Sequence, residues 1–145
     1  MADAFSELNL TEDFEKVLSV PDADRWHLVK AGPLEVWATM SPQRVPDQSF
    51  QARFLWGSYP GEPPSLKFRD PATGRLDLST AWPKVRGFRP QSLDACVNWC
   101  REGFQLHPEW RADARFRWES HGNVLLKTLR ILQDELDSYF EGRGP

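Results

Sequence analysis

Tyr59-Pro60-Gly61-Glu62-Pro63-Pro64 is the stretch on which the reading of this chain turns. Proline fixes φ, removes a backbone donor and pushes the residue before it toward extended geometry. A run holding three prolines in close succession cannot lie inside a sheet, so it ends whatever structure precedes it and re-aims the chain.

Working back from that run, Ser49 to Trp56, Leu34 to Met40 and Trp26 to Ala31 are alternating or β-rich, separated by Gly32-Pro33 and by Ser41-Pro42-Gln43-Arg44-Val45-Pro46-Asp47. They predict an antiparallel meander. In its third strand Phe50, Ala52 and Phe54 share one face and Gln51, Arg53 and Leu55 the other, so something must cover the first face. Further back, Thr11 is expected to cap a two-turn helix over Thr11 to Ser19, with Phe14, Val17 and Leu18 at helical spacing and Pro21 as its stop. Residues 1–10 are expected to be frayed.

Working forward, Ser65-Leu66-Lys67-Phe68 predicts a fourth strand and Asp70-Pro71-Ala72-Thr73-Gly74 a turn. Leu76 to Trp118 keeps no sustained period and holds four tryptophans, which predicts a long packed loop with one helical turn or strand near Asp94 to Arg101. Such loops in compact domains usually carry function. The last element is the clearest: Asn123 caps a helix with Leu125, Leu129, Leu132, Leu136 and Phe140 on one stripe, widened by Leu126 and Ile131 and ended by Gly142. This helix is the expected cover for Phe50 and Phe54. The fold class is therefore α+β: a four-stranded antiparallel meander with a short N-terminal helix and a long C-terminal helix on one sheet face, as a single domain over residues 1–145.

Composition narrows the function. The chain has 145 residues, a net charge of −3, seven tryptophans and nine phenylalanines, enough for a core without metal or disulfide staples. No apolar run reaches the length needed to span a bilayer, and Met1 to Glu7 lacks the features of a secretory signal. The expectation is a cytoplasmic protein, with no membrane partner, whose Cys96 and Cys100 are thiols. Residues 69–117 set nine bases, eight of them Arg, against six interleaved acids. Such a balanced surface pairs with itself, and no nucleic-acid partner is expected.

The order of helix, meander, Tyr-Pro-x-x-Pro-Pro, irregular cysteine-bearing segment and long helix resembles the ubiquitin-conjugating enzyme family over residues 11–140. Tyr59, Pro60, Pro63, Pro64, Leu66 and Phe68 carry the resemblance most specifically, matching that family's Tyr-Pro-x-x-Pro-Pro-x-Val-x-Phe pattern. It implies a cysteine that accepts a ubiquitin-like modifier as a thioester from an activating enzyme and passes it to an amine of a target protein. It also implies no cofactor, since the thioester arrives already energised. Cys96, within Leu93-Asp94-Ala95-Cys96-Val97-Asn98, is the preferred nucleophile and Cys100 the alternative. The family's His-Pro-Asn tripeptide has no counterpart: Phe88-Arg89-Pro90-Gln91 shares a proline and an amide only. Gln91 or Asn98 is the residue type that can supply an oxyanion donor. His107 is the expected base, with Glu109 and Asp113 as groups that can orient an ammonium. By resemblance the first helix docks the activating enzyme, and the chain is a minimal version without the family's two C-terminal helices, of the sort found in bacterial operons, with a role in antiviral defence.

Three other readings stay open. Cys96 and Cys100 can be buried thiols without chemistry, in a binding module of the same fold that holds a modifier or partner. Cys96, Cys100, His107 and His121 can form a zinc site in a scaffold domain, although their spacing fits no common pattern. His107 beside Pro108 and Trp110 can be a packed corner.

Overall fold

The computed structural model describes residues 3–145. The first helix, α1, runs Ala4–Val17. Asp3 caps it, its carboxylate accepting from the Ser6 N–H at 2.8 Å and the Ser6 hydroxyl at 2.7 Å, which satisfies donors that a helix start leaves open. This corrects the frayed N-terminus: residues 1 and 2 lie outside the described residues, and the rest of that segment is ordered because Ser6 and Leu10 prolong the buried stripe of Phe14 and Val17. Thr11, the expected cap, sits mid-helix and donates its hydroxyl to the Glu7 carbonyl at 2.8 Å. Pro21 opens a 3-10 turn over Pro21–Arg25 that leads into the sheet.

Strands β1 (His27–Gly32), β2 (Glu35–Met40), β3 (Phe50–Leu55) and β4 (Ser65–Arg69) form one antiparallel sheet in chain order, each end within one residue of the expected run. Val36 pairs with Phe54, Ala38 with Ala52 and Met40 with Phe50, so the alternating apolar positions stack into columns on one face. Leu66 and Phe68 of β4 continue those columns.

Two short strands follow, β5 (Phe88–Arg89) and β6 (Asp94–Ala95), paired as a hairpin, then a six-residue helix α2 (Arg101–Leu106). The segment expected to hold one helical turn or strand thus holds both, with β6 at its start and α2 beginning at Arg101. The last helix, α3, runs Val124–Tyr139, and its cap Asn123 accepts from the Leu126 N–H at 3.0 Å. Leu125, Leu129, Leu132 and Leu136 are buried and join Leu10, Phe14 and Val17 of α1 with the inward sheet side chains in one core. Each such leucine contributes about 1.5–3 kcal/mol by leaving water. Phe140 lies just past the helix and meets Phe50 edge-on, ring centres 5.6 Å apart.

Gly142 does not end α3. The helix stops at Phe140, and the tail runs extended beside Trp82–Lys84, with Gly142 O accepting from Lys84 N at 2.8 Å and Gly144 N donating to Trp82 O at 2.9 Å. Among the described residues no helix is long and apolar enough to cross a membrane.

Candidate functional site

The proline run is a hub as well as a turn. Tyr59 donates its backbone N–H to Ser6 Oγ at 3.0 Å, and its hydroxyl donates to Asp13 of α1 while accepting from the Leu125 N–H of α3 at 3.0 Å. Burial, reinforced by Asp13, pushes the phenol far above its usual range, so it stays a donor at any working pH. Pro60 O accepts from Trp118 Nε1 at 3.0 Å, and Pro64 O accepts from the Arg101 N–H at 2.7 Å. Six residues therefore tie together both long helices, the loop before α3 and the start of α2.

The cysteines lie between the β5–β6 hairpin and α2. Cys96 directly follows β6 and is half-buried, its N–H donating to Gly87 O at 2.8 Å. Cys100 occupies the position before α2 and is fully buried. Burial first, then the nearby Glu102 charge, pushes its thiol well above the usual range, so it is held protonated and inert. Of the two thiols, Cys96 is the one solvent reaches.

The backbone around Cys96 is closely packed from both sides. Gly87 has φ +80, and a Cβ there would stand 2.7 Å from Val97 Cγ1 and 3.1 Å from Cys96 O. On the other side, a Cβ on Gly103 of α2 would stand 1.9 Å from Val97 O. At the hairpin turn Leu93 takes φ 58, the only positive φ outside glycine among the described residues, and Lys67 Nζ donates to its carbonyl at 2.7 Å. Left-handed geometry at a branched residue costs about 1–2 kcal/mol and persists only where surroundings enforce it. Arg89 forks onto Asp94 with two 2.7 Å bonds across the hairpin, and this pairing raises the guanidinium above its usual range.

The remaining sequence candidates fall around this loop unevenly. Asn98 lines a hollow of about 280 Å³ with Trp99, Trp118, Lys127 and Ile131. Gln91 is exposed in a 3-10 turn over Pro90–Ser92. His107 sits at the far end of α2, stacked on Trp110 at 4.5 Å, with Nδ1 3.0 Å from Glu109 Oε1. Glu109 accepts its own backbone's hydrogen bond as well as that of His107, which together hold its carboxyl below the usual range. Asp113 is held low by its fork with Arg115. These partners occupy His107, Glu109 and Asp113 locally, as the packed-corner reading expects. Among the described residues no three His, Cys, Asp or Glu side chains converge to hold a metal ion, so Cys96, Cys100, His107 and His121 do not assemble the zinc site.

Sequence reading missed Glu102, Gly103 and Gly87 altogether. Glu102 is the only buried charged side chain among the described residues, and no local pattern distinguishes it from a solvated helix glutamate. The two glycines are called for by backbone approach, which only the tertiary arrangement creates.

No family model matches the chain, and neither a curated protein nor a solved structure matches it.

Proposed function

We propose that this protein is a conjugating enzyme of the ubiquitin-conjugating type, working in the cytoplasm, with Cys96 as its nucleophile. The observation that carries the reading is the contrast between the two thiols: within the segment that follows the fourth strand, Cys96 is accessible and Cys100 is sealed. The Tyr59–Pro64 pattern and the element order support the family resemblance.

The Cys96 thiolate attacks the carbonyl carbon of the thioester on an activating enzyme. A new C–S bond forms to Cys96, and the activating enzyme's sulfur leaves as a thiolate that takes a proton from solvent. An amine of the target then attacks the same carbon. The C–N bond forms, the C–S bond to Cys96 breaks, and the ammonium proton passes to His107 and from it to solvent while Cys96 returns as thiolate. Asn98, two residues after Cys96 on the same loop, is the proposed donor to the oxyanion, and His107, at the far end of α2, the proposed proton acceptor.

Incubation with a candidate activating enzyme, its modifier and ATP, followed by a non-reducing gel, tests the reading. The expected adduct is lost on reduction, absent in Cys96→Ala and retained in Cys100→Ala. An adduct that survives Cys96→Ala overturns the nucleophile. A second reading, a binding module of the same fold, draws on the absence of His-Pro-Asn from the sequence. No adduct with a partner set that charges another conjugating enzyme, together with co-purification of the modifier, would establish that alternative.

A further inference from the structure

Glu102 takes no part in the proposed chemistry, yet it is buried and charged. A buried carboxylate is costly unless its oxygens are hydrogen-bonded. Glu102 Oε2 accepts from Ser65 Oγ at 2.6 Å and Oε1 from the Leu66 N–H at 3.1 Å, while no salt bridge joins it among the described residues. Both donors belong to the first two residues of β4. The neighbouring Arg101 N–H donates to Pro64 O at 2.7 Å, so α2 is fastened to the head of β4 through two consecutive residues.

The next residue faces the other way. Gly103 lies so close to Val97 that no side chain fits between them, and Cys100 N donates to Val97 O at 3.3 Å. Val97 is the residue after Cys96. The chain of contact runs from β4 through Glu102 to α2, and from α2 through Gly103 to the backbone beside the thiol.

We propose that Glu102 is a positioning residue for Cys96: it clamps α2 to β4, and α2 fixes the backbone at Val97 and with it the direction and exposure of the Cys96 thiol. That this positioning serves transfer rests on the function proposed above; that it holds the loop does not. Neutral packing would stabilise α2 without registering it, whereas a carboxylate with two donors accepts one placement along β4.

The test is the rate at which iodoacetamide labels Cys96, read by peptide mass, with amide hydrogen exchange at Cys96. Glu102→Gln keeps an acceptor for Leu66 N–H and can donate to the Ser65 hydroxyl, so labelling stays within about twofold of the parent. Glu102→Ala strands both donors and raises Cys96 labelling about tenfold, with protection lost at the Cys96 amide and kept in β2 and β3. Ser65→Ala, which removes one bond, gives an intermediate rate and decides the matter if Glu102→Ala fails to fold. Unchanged labelling and protection in a folded Glu102→Ala, or a loss spread evenly through the sheet, overturns the clamp. Thioester formation on the same variants separates the two proposals. Labelling that follows Glu102 while even the parent takes no modifier sinks the reaction and leaves the clamp, whereas equal thioester rates in parent and Glu102→Ala remove the clamp from transfer.

Discussion

Phe54 and Cys96 stand for two regions held in different ways. Phe54 is one of many apolar side chains in a column that β2, β3 and β4 all supply, and α1 and α3 close over it. Cys96 is held by a handful of particular contacts: one bond to Gly87, the approach of Gly103 to Val97, and a left-handed Leu93 pinned by Lys67. The first region tolerates a swap of similar volume, because area and volume are what stabilise it. The second has no such latitude, since each contact is a shape or a single hydrogen bond. Such a loop leaves a thiol half-exposed, which a hydrophobic column cannot do.

Changing one atom group in each region sharpens the contrast. Phe54→Ala should cost about 3–5 kcal/mol in urea unfolding, by lost burial and a cavity at the centre of the sheet. A core that lost much less would mean that the column is not where stability resides. Gly103→Ala adds a single methyl and should still cost about 3 kcal/mol, because the nearest atoms are Val97 backbone, which cannot swing away. A neutral result there would break the account of the Cys96 loop, while Gly74→Ala at an open turn gives the comparison for strained backbone without a clash.

Tyr59 bridges the two regions, and Tyr59→Phe isolates its hydroxyl. The ring still packs edge-on against Trp56, but Leu125 N–H and Asp13 lose their shared partner. A loss of about 1–3 kcal/mol is expected from equilibrium unfolding.

The effect expected from Asp137 is smaller and depends on pH. Burial raises its carboxyl, but bonds from Arg25, the Gln43 N–H and Gln133 outweigh that, and the net direction is down. A carboxyl lowered in the folded state stabilises above its unfolded pKa of about 3.9 and loses that contribution as pH falls through the folded value. The parent should exceed Asp137→Asn by about 1 kcal/mol at neutral pH, and the gap should close below about pH 4. A gap that widens toward acid reverses the sign and refutes the assignment.

Legibility in the sequence follows the same division. Period-two alternation in Phe50, Ala52 and Phe54 and helical spacing in Leu125 to Leu136 are properties of neighbouring residues, so the sheet and α3 could be read with ends close to their true positions. The expectation of a frayed N-terminus fails because Ser6 counts as polar in a pattern, although its hydroxyl is buried between Asp3 and Tyr59. Gly142 carries the usual mark of a helix end, yet pairing of the tail with Trp82–Lys84 takes the chain out of α3 earlier. Around the cysteines the deciding facts are relations between particular residues: Glu102 with Ser65, Gly103 with Val97, Lys67 with Leu93. Glu102 and Ser65, and Lys67 and Leu93, lie too far apart for one window along the chain, and although Gly103 and Val97 are six residues apart, nothing in their residue types signals that their backbones touch.

The meander has a kinetic corollary. Each strand pairs with the strand before it in the chain, so the loops that must close to build the sheet are short and their entropy cost is low. The Tyr59 hydroxyl instead joins residues 46 positions before it and 66 after it. Such contacts are expected to form late, after the sheet has collapsed. Removing that hydroxyl should then leave the refolding rate almost unchanged and appear as faster unfolding, which makes the hub a latch on the lifetime of the native state.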